Sequence, residues 1–265
     1  MEHSDRRLAH LSWPEMQRQA LREGSTVLWP WGAFEQHGPH LPMATDALFA
    51  ERIAAAVCER LDPSLPLWML PGQWLGFSPE HLGFAGTLSL SATLLIDLVV
   101  AVGGQLADAG FDRLVLFNAH GGQIGLLEAA ARELRSRHSR LAVLPCFLWR
   151  GPEGIAELIP EPERSDGLHA GLAETSLMLH LEPASTGPER PSETTPNQPP
   201  EGWNLEGAVP CSWLTGELSS SGVIGSAAGA SAELGDALFQ ALVQGWLRRL
   251  ESLLRSDWPP RRVVG

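Results

Sequence analysis

Residues 29–42 read Trp29-Pro-Trp-Gly-Ala-Phe-Glu35-Gln36-His37-Gly38-Pro39-His40-Leu41-Pro42, and Thr45-Asp46 follows shortly after. The stretch carries a carboxylate and two imidazoles, and a second carboxylate closes it. Pro39 and Pro42 would break a helix and would take ladder bonds out of an interior strand. It is therefore read as a loop leaving the end of a buried strand, residues 26–30. Loops held on a rigid scaffold are where chemistry tends to sit.

Working outward, the chain alternates strand and helix patterns. Residues 8–22 suggest an amphipathic helix, with Ser12 as N-cap and Pro14 in its first turn. Residues 47–61 place Phe49, Ile53, Ala54 and Val57 on one helical face. Residues 67–71 are a second strand, followed by a Gly-rich loop that carries Ser78, Glu80 and His81. A helix through 94–106, capped by Ser91 or Thr93, leads to a third strand at 113–117, which ends in Asn118-Ala-His120-Gly121-Gly122-Gln123. A helix at 124–137, a fourth strand at 141–149, an acidic loop at 150–168 with one short helix, and a helix at 169–181 containing Glu174 come next. Residues 183–215 are rich in Pro, Glu, Ser and Thr, yet Trp203, Leu205, Val209 and Trp213 recur there. They are read as an irregular covering segment rather than a linker. A long helix at 230–254 and a frayed tail from Pro259 through Arg262 complete the chain. Alternation of this kind predicts an α/β fold, a three-layer α/β/α arrangement on a mostly parallel central sheet, in a single domain over 1–265.

The 265 residues include 44% hydrophobic and 19% charged side chains, enough for a substantial core. A net charge of −12 and the absence of a basic stripe argue against nucleic-acid or anionic-membrane partners. Cys58, Cys146 and Cys211 are odd in number and far apart, which fits a reducing compartment and argues against a disulfide framework or a thiolate zinc site. The charged N-terminus is not a signal peptide, and Asp97 interrupts the most apolar run, so the expected location is cytoplasmic. The chain has no lysine and no tyrosine. Schiff-base lysines, phosphate-loop lysines and tyrosine acids are thereby excluded, leaving proton transfer to His, Asp, Glu, Cys or water on a metal.

In parallel α/β folds ligands bind beyond the carboxyl ends of the strands. Glu35/His37, Glu80/His81 and Asn118/His120 each follow a predicted strand, and His169/Glu174 follow the fourth. Glu35, His37, Asp46 and His120 form a mixed nitrogen and oxygen set that suits Zn²⁺, Mn²⁺ or Fe²⁺. Their carboxylates exceed the needs of one ion, which points to a two-metal centre that acidifies water. Gly121 and Gly122 permit close backbone approach, and the N–H groups opening the next helix could hold an oxyanion; the alternative is a plain tight turn. His169 and Glu174 share a cleft only if His169 precedes the helix, with Asp166 as its orienting partner or as the helix cap. Ser78, Glu80, Gly121 and Gly122 are the candidate substrate-binding positions; for the pair Glu80-His81 the alternative is a solvent-exposed loop. No serine lies in a nucleophile elbow.

Glu35-Gln-His-Gly-Pro-His-Leu-Pro with Thr45-Asp46, Phe84-Ala-Gly-Thr-Leu-Ser-Leu, Asn118-Ala-His-Gly-Gly, His169-Ala-Gly-Leu-Ala-Glu-Thr-Ser-Leu-Met-Leu and Gly222-Val-Ile-Gly together resemble the creatininase (creatinine amidohydrolase) family, in order, over roughly 10–250. The resemblance implies a metal-dependent amidohydrolase acting on a small-molecule amide, usually a homohexamer. It implies two divalent ions, Zn with Mn or Fe. Glu35 and His120 would hold one ion and His37 the other, with Asp46 bridging and Glu174 by the second ion. His169 would protonate the leaving nitrogen. Members that open creatinine carry an acidic ligand where this chain has Gly122 and an aromatic clamp where it has Ser165. The usual Gly-Asp-Pro is Gly225-Ser226-Ala227 here. The chain is thus expected to share the fold and metal chemistry more surely than the substrate. The rival readings are a deformylase, a peptide-trimming hydrolase and a metal-binding scaffold without turnover.

Overall fold

The computed structural model describes residues 5–193 and 199–260. Met1–Ser4, part of the covering segment (194–198) and the Arg261–Arg262 end of the tail lie outside them. Strands β1 (Thr26–Trp31), β2 (Leu67–Met69), β3 (Arg113–Asn118) and β4 (Ala142–Phe147) form a sheet of order β2-β1-β3-β4. All three pairings are parallel, with Thr26 opposite both Leu67 and Arg113, and Arg113 opposite Ala142. β1 and β3 are buried along their whole length because helices cover both faces, which is why they read as continuous apolar runs. The second sheet is small and antiparallel, β5 (Ser192–Glu193) with β6 (Gly225–Ser226).

One face is covered by α2 (Thr45–Arg60), α7 (Leu172–Leu181) and α9 (Ala232–Leu254), whose Phe49, Ile53, Leu177 and Trp246 pack with Leu28, Val115 and Phe117. The other is covered by α1 (Trp13–Ala20), α3 (Ala92–Ala109) and α4 (Ile124–Arg137), through Leu95, Val99, Leu127 and Leu134 against Trp29, Trp31 and Leu116. The three layers are those expected. Short helices α5 (Ile155–Leu158), α6 (Glu163–Asp166) and α8 (Thr215–Leu218) lie in the connections, two of them where one was expected in 150–168. Close approach of α9 to α7 depends on Gly235, where a Cβ would fall 1.9 Å from the Ser176 carbonyl oxygen.

Several boundaries differ from the sequence expectation for physical reasons. α1 is shorter than 8–22, because Leu8–His10 form a separate 3₁₀ turn, and Trp13 and Leu21 are 78% and 70% exposed. α2 begins at Thr45, so Asp46 lies in its first turn rather than in the loop; the N-cap is Ala44, which has no capping side chain to announce the start. α3 is long and apolar enough by composition to cross a membrane, against the expectation that no segment is. One side of it is nevertheless core, through Leu95, Val99 and Leu106. Ser91, not Thr93, caps it by accepting from Leu94 N, and Gly110 at φ 110° closes it.

Candidate metal centre

Each site residue is placed by local backbone chemistry at the carboxyl edge of the sheet. After β1, Gly32 passes so close to α2 that a Cβ there would lie 2.3 Å from Ala47 N. This brings the Glu35 loop over the first turn of α2, where Asp46 stands. Glu35 N donates to Met43 O and Gln36 N to Thr87 Oγ1, fixing the loop on both sides. Gly38, at φ 67°, reverses the chain and donates its N–H to Gln36 Oε1. After β3, Asn118 brackets His120 by accepting from its N–H at 3.0 Å and donating to its carbonyl at 2.7 Å. His169 lies just before α7, as a shared cleft requires. It pairs with Ile224 through backbone bonds in both directions. Ala170 then turns through φ 55°, and its N–H donates to Glu174 Oε2 at 2.6 Å.

The result is one buried cluster. His120 Nδ1 lies 3.3 Å from Glu35 Oε1 and 3.2 Å from Asp46 Oδ2. His37 Nε2 lies 3.5 Å from Asp46 Oδ1, and His169 Nδ1 lies 3.8 Å from Glu35 Oε1. Partners on the far side of each ring decide where its proton sits, because a carbonyl oxygen can only accept. His37 Nδ1 is 3.2 Å from the Glu35 carbonyl, His120 Nε2 is 3.0 Å from the Phe77 carbonyl, and His169 Nε2 is 2.7 Å from the Gln36 carbonyl. Each of those nitrogens therefore carries the hydrogen, and each opposite nitrogen turns a lone pair toward a carboxylate. Lone pairs facing carboxylates demand positive charge between them. Glu35 Oε1 and Oε2, His37 Nε2 and Asp46 Oδ2 are buried with no hydrogen-bond partner, as ligands awaiting a cation would be.

Three ligand groups have donor atoms within 4.8 Å of one another: Glu35/Asp46/His120, His37/Asp46/Glu174 and Glu35/His37/His169. The first two share Asp46, so the residue set fits two ions bridged by one carboxylate. Without a cation the chain would meet the charge with protons. Burial opposes ionisation of His37, but Asp46, Glu174 and Glu35 outweigh it and raise its pKa to about 9. His120 is raised well above its ordinary value in the same way, against burial, by Glu35, Asp46 and Glu80. Burial lifts Glu174 to about 7. It also opposes the charge on Asp46, yet His37 and His120 hold that carboxyl below its ordinary value.

The other expected positions fall around this cluster. Ser78 Oγ and Glu80 Oε1 lie 3.3 and 3.4 Å from His120 Nε2, on the ring edge away from the carboxylates. A Cβ at Gly122 would lie 1.9 Å from Glu80 Oε1 and 2.7 Å from His120 Nε2, so no side chain fits there. Gly121 borders Glu206 of the covering segment. His40 is buried and braces α7, its Nε2 lying 2.8 Å from Thr175 Oγ1. Two expectations fail. Asp166 neither orients His169 nor caps α7: it is the exposed last residue of α6, and the N-cap is Gly171. The Gln36 carbonyl does the orienting. Ser165 is exposed and donates to Glu161. Sequence reasoning passed over the side chains of Gln36 and Thr215 and left His81 undecided between pocket and surface. All three are buried here, with Gln36 Nε2 2.8 Å and Thr215 Oγ1 2.7 Å from His81 Nδ1. The adjacent pair Glu80-His81 after β2 was the available signal. Burial raises the thiols of Cys58 to about 12 and Cys146 to about 11, in keeping with inert cysteines.

Comparison with known proteins gives consistent matches. A family sequence model described as creatinine amidohydrolase matches residues 9–250. A mycofactocin precursor peptide peptidase of Mycobacterium tuberculosis (strain CDC 1551 / Oshkosh) is 34% identical over 250 residues, covering 89% of this chain and 86% of that protein. A creatinine amidohydrolase of Pseudomonas putida is 29% identical over 267 residues, covering 96% and 97%. A solved structure named "Creatininase Mn" superposes with a TM-score of 0.79 at 26% identity, covering 95% of this chain and all of that one. With the match spanning most of its length and the fold shared, this chain belongs to the creatininase family.

Proposed function

We propose that this creatininase-family amidohydrolase cleaves an amide C–N bond of a compact substrate at the centre formed by Glu35, His37, Asp46, His120 and Glu174. The observation that carries the reading is the pair of buried donor groups that share Asp46, with imidazole lone pairs turned toward unpartnered carboxylates. Two divalent ions, Zn with Mn or Fe, would be held by Glu35, Asp46 and His120 on one side and His37, Asp46 and Glu174 on the other. Bound there, they would acidify water and polarise a carbonyl.

The chain's own residues do the rest. His169 is the acid/base. Burial, with His37 and His81 beside it, holds its pKa well below the ordinary value, so the ring is neutral and its Nδ1 lone pair is free. The Gln36 carbonyl fixes the ring by binding Nε2–H. Nδ1 takes a proton from the attacking water and returns it to the leaving nitrogen. The amide R–CO–NH–R′ and water become R–COOH and H₂N–R′. Ser78 and Glu80 hold His120 from behind, Gly121 leaves backbone room for substrate, and Glu80 fills the space beside Gly122.

The substrate is a non-peptide amide in this reading, which the covering segment supports by bringing Thr215 and Trp213 against His81 at the edge of the cluster. A second reading, trimming a short peptide, is favoured by the 34% identity to a peptide peptidase. The lack of a side chain at Gly122 and the exposure of Ser165, the positions where creatinine-opening members carry specific side chains, also favour it. A metal-loaded preparation tested against creatinine, N-formyl amides and short peptides separates them. Two bound ions with no turnover across that panel would instead make the chain a metal-binding scaffold. We also propose a cytoplasmic homohexamer. Trp13, Leu82, Leu88 and Leu94, each more than half exposed, support subunit contact, and light scattering would show the mass.

A further inference from the structure

We propose that His81 is a further catalytic residue, a neutral imidazole whose Nε2–H is fixed as a donor to the carbonyl oxygen of the substrate amide. The proposal rests on the amidohydrolase reading above.

The argument is a chain of donors and acceptors. Gly38 N–H can only donate, so the Gln36 amide atom 2.9 Å from it is the oxygen, and the other is nitrogen. That nitrogen has two hydrogens and lies 3.1 Å from Gly222 O and 2.8 Å from His81 Nδ1. It also lies 3.1 Å from His169 Nε2, but that atom already carries a hydrogen bound by the Gln36 carbonyl and cannot accept. The two amide hydrogens therefore go to Gly222 O and His81 Nδ1. Since His81 Nδ1 accepts, its hydrogen sits on Nε2. Thr215 Oγ1 lies 2.7 Å from the same Nδ1, and its rotatable hydroxyl can share that lone pair.

His81 Nε2 lies 3.4 Å from Glu35 Oε1, at the edge of the cluster. The ring stacks 4.2 Å from His169, and His169 stacks 4.3 Å from His37. Of the four imidazoles, His37, His120 and His169 turn lone pairs inward, and His81 alone turns a hydrogen inward. It therefore cannot be a metal ligand in this state. It is also absent from each of the three ligand groups. A rigid N–H donor beside the acid/base residue suits an oxygen that gains negative charge when water adds to the carbonyl. His81 is fixed from three separate segments, since Gln36 holds Nδ1 from the Glu35 loop, Thr215 from the covering segment, and Pro79–His81 is itself a 3₁₀ turn.

The test uses the full zinc-loaded chain. In long-range ¹H–¹⁵N spectra His81 should show the hydrogen on Nε2, and Gln36→Glu, whose carboxylate can only accept, should move it to Nδ1. A hydrogen on Nδ1 in the unaltered chain, or no change in Gln36→Glu, would overturn the proposal. His81→Ala should keep its full metal content and lose about 100- to 1000-fold in kcat with a smaller change in KM. His81→Asn, which retains an N–H donor, should recover part of that rate. Loss of an ion from His81→Ala, or an unchanged kcat, would contradict the assignment. Failure of every amide in the substrate panel would sink the proposed function and this role with it, whereas turnover with the His81 hydrogen on Nδ1, or with an unchanged kcat in His81→Ala, would sink this proposal alone.

Discussion

Replacing Asp46 with Asn separates a shared bridge from two independent sites. The side chain keeps its shape and loses its charge. Asp46 Oδ1 faces His37 Nε2 at 3.5 Å and Oδ2 faces His120 Nδ1 at 3.2 Å, so one substitution removes a carboxylate from both donor groups. Glu174, by contrast, belongs to one group only. A ligand present at about 100 times its Kd stabilises a fold by roughly 2.7 kcal/mol per site, so two sites give roughly 5 kcal/mol. At about 2–4 °C per kcal/mol for a chain of this size, saturating zinc should raise the Tm of the unaltered chain by roughly 10–20 °C. Asp46→Asn should show almost none of that shift and hold no stoichiometric metal. Glu174→Gln should keep one ion and about half the shift. Differential scanning calorimetry with and without zinc, beside elemental analysis, reads both quantities. If Asp46→Asn keeps two ions or the full shift, the shared-bridge account is wrong.

Metal uptake should depend on pH with a definite sign. His37, raised to about 9, and Glu174, raised to about 7, must both lose a proton to bind. Apparent zinc affinity should therefore rise through about pH 7 and on toward 9; calorimetric titrations in buffers of different ionisation enthalpy should show proton release, and a flat profile would contradict it. In the metal-free chain the raised His37 pKa stabilises the fold fully below its ordinary value of 6.5, and that contribution is lost as pH rises through about 9. His169→Gln should retain both ions and lose about 100- to 10,000-fold in kcat, whereas loss of an ion would make His169 a ligand in the Glu35/His37/His169 group. Gly235→Ala should destabilise the chain by about 1–3 kcal/mol in urea unfolding, because its Cβ would meet the Ser176 carbonyl at 1.9 Å.

How much of this was legible in the sequence depends on range. The β1, β3 and α4 spans, and the placing of polar residues after each strand, follow from local periodicity and turn residues, which act over a few positions. The α2 start was missed because Ala44 gives no cap signal, so Asp46 was assigned to a loop while its side chain still reached the cluster. The exposed face of α1 was misjudged for a different reason. Trp13 and Leu21 follow a helical spacing, yet 78% and 70% of their surface stays exposed. Glu35, His37, Asp46, His120 and Glu174 came together because each is tied to a strand end or a first helical turn. His81 and Thr215 are separated by 134 positions, and His81 and Gln36 by 45. No pattern within one segment can report a contact of that span. The same limit applies to His169, whose position depends on pairing with Ile224 and on the turn at Ala170. Asp166 was the nearer partner in sequence, and the Gln36 carbonyl, 133 positions away, is the real one.

Anomalous diffraction from metal-loaded crystals tests the central claim most directly. The account predicts two anomalous peaks, one among Glu35, Asp46 and His120 and one among His37, Asp46 and Glu174, with Asp46 reaching both. A single peak, or a second peak bound by His169 in place of Glu174, would contradict it.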